Sequence, residues 1–538
     1  MEVTQLAVDK EYTAHDKIIY EFLDDVYLPK LIEEKNMNSQ ETYMCEGPPF
    51  VNSPLLHMGH ALVTEIKSCI TKYIHMKGNK CKLTTGLDTH GIPTKIMVSK
   101  LLNLQTPSDI VSYGVAEFNK VCKETILKYE TCWDPIYKSL GRTVDLNSRY
   151  RTMDTNFMES IFWGFKTLWD KNLIYKSYKV VPYSYKMKVG LSNFEASQCY
   201  KEITDLTTYV FFPLVSDANT GFVAWTSMVH TLIANVALCV NPNGKYVKVT
   251  DKNNRSYIVH ENYIQNLGIS ITSTEFVGFG KDLVGIKYTP PFNYFSDRTF
   301  QVIADEFVEE TADIGSGIVH VNPMSGEIDY DICIKNNIIT IDDISKLDYV
   351  NDDGTFADII PDYKNILVFD AVQEIIDRLE GNNILVKKQK YTHSYPHSDR
   401  TGERLIYKAM SNYFVNVTAI KDKLLENNEK INWVPKHVGV GRFKQWLMNA
   451  KDWCISRNNI FFGTPIPVWI SDDEVESICI GSIDELVALA KLNNRPADLH
   501  SEFLDEIKII SPITGKVLHR VSFLLDCWFE SGSVPYAQ

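Results

Sequence analysis

Two histidines stand three residues apart in Leu56-His57-Met58-Gly59-His60. At the first turn of a helix that spacing puts both imidazoles on one face. Their N–H groups, beside the positive end of the helix dipole, suit a polyanion such as a triphosphate. Gly59 has no Cβ, so backbone or ligand can approach closely. Further on, Gly86-Leu87-Asp88-Thr89-His90-Gly91-Ile92-Pro93 carries a carboxylate, Asp88, at the end of an apolar run. A carboxylate at the C-terminal edge of a strand sits where open α/β sheets bind ligands. Plainer uses exist for the same residues: His57 and His60 also suit a solvated helix start, and Asp88 a helix cap.

The elements that must position these groups are legible on either side. Tyr43-Met44-Cys45 reads as a short buried strand, and Leu62, Ile66, Cys69, Ile70 and Tyr73 recur at helical spacing. Pro48 and Pro49 force an extended turn between the two. A second strand is read over residues 81–87. Ile18, Ile19, Phe22, Leu23, Val26, Tyr27 and Leu28 give residues 1–40 a helical apolar face. Phe118, Val121, Ile126 and Tyr129, then Phe157, Ile161, Phe165 and Leu168, read as core stripes of later helices. From about residue 200 to 390 the texture changes to strands, over residues 209–212, 222–225, 246–249, 257–259 and 301–303. Asn243-Gly244 and the run from Asp251 to Asn254 supply turns. This reads as a compact β-rich domain inserted into an α/β domain.

Bulk properties bound the class. A chain of 538 residues holds two to four domains. Its 44% hydrophobic and 23% charged content is that of a soluble globular protein. No run approaches a membrane span, and Met1-Glu2-Val3-Thr4-Gln5 is no basic, apolar leader, so a cytoplasmic protein without a membrane partner is expected; it is taken as a monomer, a state these features do not themselves give. Eleven scattered cysteines form no CxxC pair, which points away from disulfides and metal knuckles. The net charge of −13 gives little overall attraction for RNA, so any RNA contact needs a local basic strip.

His57-Met58-Gly59-His60 resembles the HIGH signature of class I aminoacyl-tRNA synthetases. With Glu46-Gly47-Pro48-Pro49-Phe50 ahead of it, the run is similar to the isoleucyl, valyl and leucyl subgroup. The Asp88 segment resembles GWDxHGLP, with Leu87 where tryptophan is usual. Gly141-Arg142-Thr143-Val144-Asp145 is similar to GRWxD without its tryptophan. Leu191-Ser192-Asn193-Phe194-Glu195-Ala196 resembles a junction of eukaryotic-type isoleucyl enzymes. Ala224-Trp225-Thr226-Ser227-Met228-Val229-His230-Thr231-Leu232-Ile233-Ala234-Asn235 resembles AWTTTPWTLPSN, with departures at Met228, Val229, His230 and Ile233. Gly315-Ser316-Gly317-Ile318-Val319-His320, followed by Gly326-Glu327-Ile328-Asp329-Tyr330, resembles GTGIVHxAP…GEDDY. Trp453 to Pro467 is similar to WxISRNRxWGTPIP but one residue longer, with an arginine missing and Phe462 in the tryptophan place. Asp526-Cys527-Trp528-Phe529-Glu530-Ser531-Gly532-Ser533 resembles the pocket-lining DVWFESGS.

The resemblance implies a Rossmann-like α/β catalytic domain interrupted by a β-rich editing insertion. It divides the chain into an N-terminal extension, 1–40, a first catalytic half, 41–190, an insertion, 191–392, and an incomplete second half, 393–538. The expected reaction joins isoleucine to ATP, with Mg²⁺ arriving on the nucleotide, and passes the acyl group to tRNA(Ile). His57 and His60 would be catalytic, with His57, Gly59 and His60 at the ATP. Asp88 would hold the amino acid's ammonium group, and Pro49, Phe462, Trp528 and Glu530 would complete the amino acid site. Thr226, Thr231, Asn235, His320 and Asp329 would hydrolyse mischarged valyl-tRNA(Ile), Asp329 as the anion. No metal-ligating set is expected. The family's KMSKS segment belongs beyond Gln538, so the sequence reads as a fragment or a truncated homologue. A valyl enzyme, or a non-catalytic or editing-only module, is the alternative.

Overall fold

The computed structural model describes residues 41–77, 79–140, 142, 144–191, 193–310 and 313–538. The apolar face expected between Ile18 and Leu28 lies outside the described residues, as do Gly141, Thr143 and Ser192 of the segments quoted above. The chain forms two compact units, one running to Tyr175 and resuming at Tyr413–Gln538, the other spanning Lys176–Asn412.

The first unit opens with β1 (Glu41–Met44), α1 (Met58–Met76) and β2 (Lys80–Leu83). β1 and β2 pair in parallel, Glu41 opposite Lys80 and Met44 opposite Leu83, so α1 is the crossover of a βαβ unit. The second strand expected over 81–87 is interrupted: β3 (Gly86–Leu87) pairs in parallel with β4 (Tyr150–Arg151) instead. β1 has β2 as its ladder partner in a two-stranded sheet, and this leaves Tyr43 56% exposed where a buried strand was expected.

α1 is also turned about. Its apolar stripe, Leu62, Ile66, Ile70 and Tyr73, faces outward among the described residues, while Thr64, Ser68 and Thr71 are buried. Thr71 meets burial by donating its hydroxyl back to the Lys67 and Ser68 carbonyls. α2 (Ile92–Leu101) follows, and by contrast with α1 both α3 (Val115–Ser139) and α4 (Thr155–Asp170) pack as their stripes require. Phe118 and Ile126 join Val51, Leu87, Val98 and Trp133 in one core; Phe157, Ile161 and Phe165 join Ile455, Ile466 and Phe529 in another.

The second unit is built on sheets. All five runs read as strands fall in β5 (Tyr200–Pro213), β6 (Thr220–Thr226), β8 (Lys245–Asp251), β9 (Ser256–His260) and β11 (Gln301–Ala304). Four others complete the sheets: β7 (Ala237–Val240), β10 (Ile271–Phe279), β12 (Ile318–Val321) and β13 (Leu385–Pro396). One sheet has the order β10-β8-β9-β6-β5-β13, the other β11-β7-β12. β13 runs antiparallel to β5 from Leu385 opposite Val210 to Pro396 opposite Tyr200. This ladder carries the β-rich unit past residue 392.

In the resumed part of the first unit β14 (Ser456–Arg457) pairs antiparallel with β15 (Leu524–Leu525), which leads into α5 (Cys527–Gly532). Parallel strands joined through helices, interrupted by a β-rich stretch, make this a Rossmann-like α/β architecture with an insertion.

Candidate active site

In the first unit the loop after β1 and the end of β3 run side by side. The Val51 N–H donates to the Asp88 carbonyl at 3.0 Å, and the Asp88 N–H donates to the Pro49 carbonyl at 2.9 Å. The prolines keep this loop extended enough to form that parallel bridge. Glu46 is buried at its root, paired with Arg142 and 3.2 Å from Lys67 of α1. The Lys67 ammonium also donates to the Gly47 carbonyl. The Trp133 indole N–H of α3 donates to the Ser53 carbonyl at 2.9 Å. Side chains of α1 and α3 therefore clamp the loop in place.

His57 is the N-cap of α1, and its Nδ1 accepts the His60 N–H at 3.2 Å. An Nδ1 that accepts leaves the proton of a neutral ring on Nε2, so the free edge of His57 is a donor. The two rings stack at 3.6 Å, and His60 leans on Trp133 at 5.3 Å. A side chain at Gly59 would lie 3.0 Å from the His57 ring. Burial, with smaller contributions from His57 and Lys67, holds His60 down to about 4. His60 is thus a neutral ring at neutral pH, and both rings stand at the start of a 19-residue helix with N–H groups to offer.

Asp88 is buried, and its Oδ1 has no hydrogen-bond partner. Burial first, then the nearby Glu530, pushes its carboxyl well above the usual range, while N–H groups of His90 and Thr89 act against that. A buried acid with an open oxygen suits a cationic ligand group.

The remaining residues expected at the amino acid site divide in two. Pro49 is half-buried, and Trp528, on the first turn of α5, is 53% exposed, so both can meet a ligand. Phe462 and Glu530 instead turn inward. Phe462 is buried, stacked on His500 at 4.8 Å and edge-on to His90. Glu530 is fully enclosed: one oxygen meets His90 Nδ1 at 2.7 Å and the other accepts the Thr464 N–H at 3.0 Å. They act from behind the wall. Gly91, at φ 95°, sits where a Cβ would fall 2.9 Å from Cys527 Sγ, and that close approach brings the Asp88 loop against α5. Asp526 caps α5 through the Trp528 N–H and pairs with the buried Arg457 at 2.6 Å.

Sequence reading missed Glu46 with Arg142, Arg457 with Asp526, and His90 with His500. The first two had a signal, since Glu46, Arg142, Arg457 and Asp526 all lie in the segments quoted above, as does His90; His500 had none. The residue added before Phe462 is absorbed by left-handed conformations at Asn459 and Phe461, φ 55° and 74°.

The second unit gathers most of the other expected group. Thr231 Oγ1 meets His320 Nε2 at 2.7 Å, and Asn235 Nδ2 lies 3.4 Å from His320 Nδ1. Tyr288 donates to Asn235 Oδ1 at 2.6 Å and fixes that amide. Asn322, not expected at all, joins the two loops: its amide donates to the Thr231 carbonyl and its N–H donates to Asp329 Oδ2 at 2.8 Å. Burial pushes Asp329 up to about 6, against that hydrogen bond, and holds His320 down to about 4. Thr226 stands apart, since its hydroxyl accepts the Met228 N–H in a local turn.

Among the described residues no group of three or more His, Cys, Asp or Glu is disposed to hold a metal ion, and no helix is long and apolar enough to cross a membrane.

Comparison with known proteins gives concordant results. The family model for tRNA synthetases class I (I, L, M and V) matches residues 19–538. A probable cytoplasmic isoleucine–tRNA ligase of Dictyostelium discoideum is 39% identical over 98% of this chain and 50% of its own length. The cytoplasmic isoleucine–tRNA ligase of Mus musculus is 38% identical over 100% of this chain and 42% of its own. The isoleucine–tRNA ligase of Bdellovibrio bacteriovorus is 39% identical over 98% and 50%. The chain spans about half the length of the curated relatives it matches.

Proposed function

Because this chain belongs to the class I tRNA synthetases, we propose that it carries the amino acid activation site of an isoleucine–tRNA ligase. The substrates are isoleucine, ATP and tRNA(Ile). The isoleucine carboxylate attacks the α-phosphate of ATP, giving the adenylate and pyrophosphate, and the acyl group then passes to the 3′ end of tRNA(Ile). Positioning and charge do the work, with no covalent enzyme intermediate. The observation that carries the reading is the juxtaposition of a buried, open carboxylate, Asp88, with the loop that leads directly into the His57–His60 helix start.

Each group has one task. Asp88 meets the ammonium group. Pro49 and Trp528 offer apolar surface to the branched side chain, while Phe462 and Glu530 hold the Asp88 loop from within. His57 and His60, with Gly59 leaving room, donate to the phosphates as negative charge moves onto the leaving pyrophosphate. Mg²⁺ is assigned to the ATP phosphates, and no step is routed through it.

Isoleucine is preferred to valine because the relatives described above are isoleucine enzymes. Pocket contacts alone separate two substrates that differ by one methylene by only about 1–3 kcal/mol, a limit for which these enzymes are the standard illustration. That limit motivates a second role for the β-rich unit. The convergence of Thr231, His320 and Asn235, tied to Asp329 through Asn322, supports hydrolysis of mischarged valyl-tRNA(Ile). Asp329 is the anion for the ammonium group, and Thr226 supports the loop. The cytoplasmic relatives support a cytoplasmic setting, and the protein is taken to act as a monomer.

ATP–pyrophosphate exchange with isoleucine and valine as competing substrates tests this function. Exchange is expected with isoleucine. Exchange strongest with valine, or none with either amino acid, overturns the assignment.

A further inference from the structure

Behind Asp88 runs a line of buried side chains that the activation chemistry does not itself use. Glu530 Oε2 lies 2.7 Å from His90 Nδ1, His90 Nε2 lies 3.0 Å from His500 Nε2, and His500 Nδ1 lies 2.8 Å from Asp498 Oδ1. Lys123 closes the line, its ammonium 3.0 Å from Asp498. Glu530, His90 and His500 are inaccessible to solvent, and Phe462 stacked flat on His500 fixes that ring. The geometry reaches from the amino acid site to a partly exposed lysine on α3.

Counting protons on this line leads to a definite charge state. Three hydrogen bonds between four groups need three protons, one per bond. Two neutral imidazoles and two carboxylates provide two. The line therefore holds one extra proton. It is not on Asp498: although burial pushes that carboxyl up, hydrogen bonds from His500 and Lys123 hold it below the usual carboxylate range. With Asp498 an acceptor, His500 Nδ1 is a donor, and because burial holds the His500 imidazole below its usual range the extra proton sits on the Glu530–His90 side.

The place of that proton matters because of what faces Asp88. Glu530 and Asp526 are the acids that act on it, and Tyr150 is close by. Asp526 is offset by the Arg457 guanidinium. Glu530 has His90 as its ion-pair partner and the Thr464 N–H on its other oxygen, so among the described residues the shared proton is the charge that offsets it. The groups facing His500 are Asp498, His90 and Glu502, and Glu502 accepts from Asn119 at 2.6 Å.

We propose that His500 is a positioning residue for amino acid binding: anchored by Asp498, it keeps the extra proton against Glu530 through His90 and so leaves Asp88 free to serve as the anion that meets the ammonium group. The inference rests on the assignment of Asp88 made above. If His500 cannot accept, a neutral His90 donates only to Glu530, and Glu530 stays a full negative charge beside Asp88. Asp88 then ionises at higher pH, and amino acid binding weakens on the acid side.

Isoleucine binding to the full chain, measured by calorimetry between about pH 6 and about pH 8, tests this. At the acid end the affinity of His500→Leu is expected to fall about tenfold below that of the unaltered chain, and the two converge toward the alkaline end. Asp498→Asn, at the wetter end of the line, shifts the profile in the same direction by less and covers the case in which the leucine variant fails to fold. ATP affinity stays unchanged in both. Isoleucine binding with the same pH profile in variants and unaltered chain overturns the role of His500 alone. An unaltered chain that binds ATP but no isoleucine overturns the assignment of Asp88, and this inference with it.

Discussion

The histidines of the two units meet opposite demands. His57 and His60 stand at the open start of α1, stacked on each other, with one ring edge left free to donate. His320 is buried, and both its ring nitrogens already face side chains of its own unit, Thr231 and Asn235. The acids differ in the same way. Asp88, though met by the His90 and Thr89 N–H groups, keeps one buried oxygen with no partner, whereas Asp329 is held by a backbone N–H from Asn322. The first site is thus prepared to receive charged groups, the second to hold polar side chains in register. A site for ATP and a free amino acid needs the first arrangement. A site that places a water on an ester needs the second, because there the chemistry depends on orientation.

The largest break in this comparison should come from Asp329→Ala. An ammonium group left without its buried partner forfeits about 3–5 kcal/mol, so hydrolysis of valyl-tRNA(Ile) is expected to fall by about 10²–10⁴-fold while isoleucine activation is unchanged. A single-turnover deacylation assay beside pyrophosphate exchange reads both. His60→Ala is the mirror image: adenylate formation should drop by about 10²-fold, with deacylation intact. Stopped-time measurement of adenylate yield checks it, and a rate equal to the parent's removes the ring from the phosphate site.

A smaller contrast is in pH. Burial pushes Asp329 up to about 6, so its anion appears as pH rises through that value. Deacylation should climb to a plateau, half-maximal near pH 6, by this acid's titration. His60, held down to about 4, stays neutral across the same range and puts no step into activation there. Any acid limb in activation should come instead from Asp88, whose carboxyl burial and then Glu530 push well above the usual range. The smallest effect belongs to Thr226→Ala. Its hydroxyl accepts one local N–H, and loss of such a cap costs about 1 kcal/mol of local stability, leaving deacylation within about threefold of the parent. A drop as large as that of Asp329→Ala would move Thr226 into the site.

Local pattern made much of this legible. The Pro48–Pro49 turn, the helix opening at His57 and the Asp88 strand end are short-range features, and they meet where an α/β sheet brings such segments together. The orientation of α1 was not legible, because periodicity marks an apolar stripe without saying what covers it. His90 and His500 were invisible as a pair for a similar reason: 410 positions separate two histidines with no repeating signal around either. Phe462 illustrates the limit of motif alignment. Its neighbours matched, but left-handed turns at Asn459 and Phe461 send its ring into the interior, onto His500. The strand β13 hid in a lysine-rich run whose alternation is weak until β5 lies beside it.

The central claim is that Asp88, beside the loop leading to His57 and His60, grips an activated aliphatic amino acid. Equilibrium binding of a non-hydrolysable isoleucyl-adenylate analogue to the chain and to its Asp88→Asn variant tests it most directly. The account predicts binding by the unaltered chain, weakened about 10²-fold or more in the variant, since a buried ammonium group loses its charged partner. Equal affinity in the two proteins would contradict it.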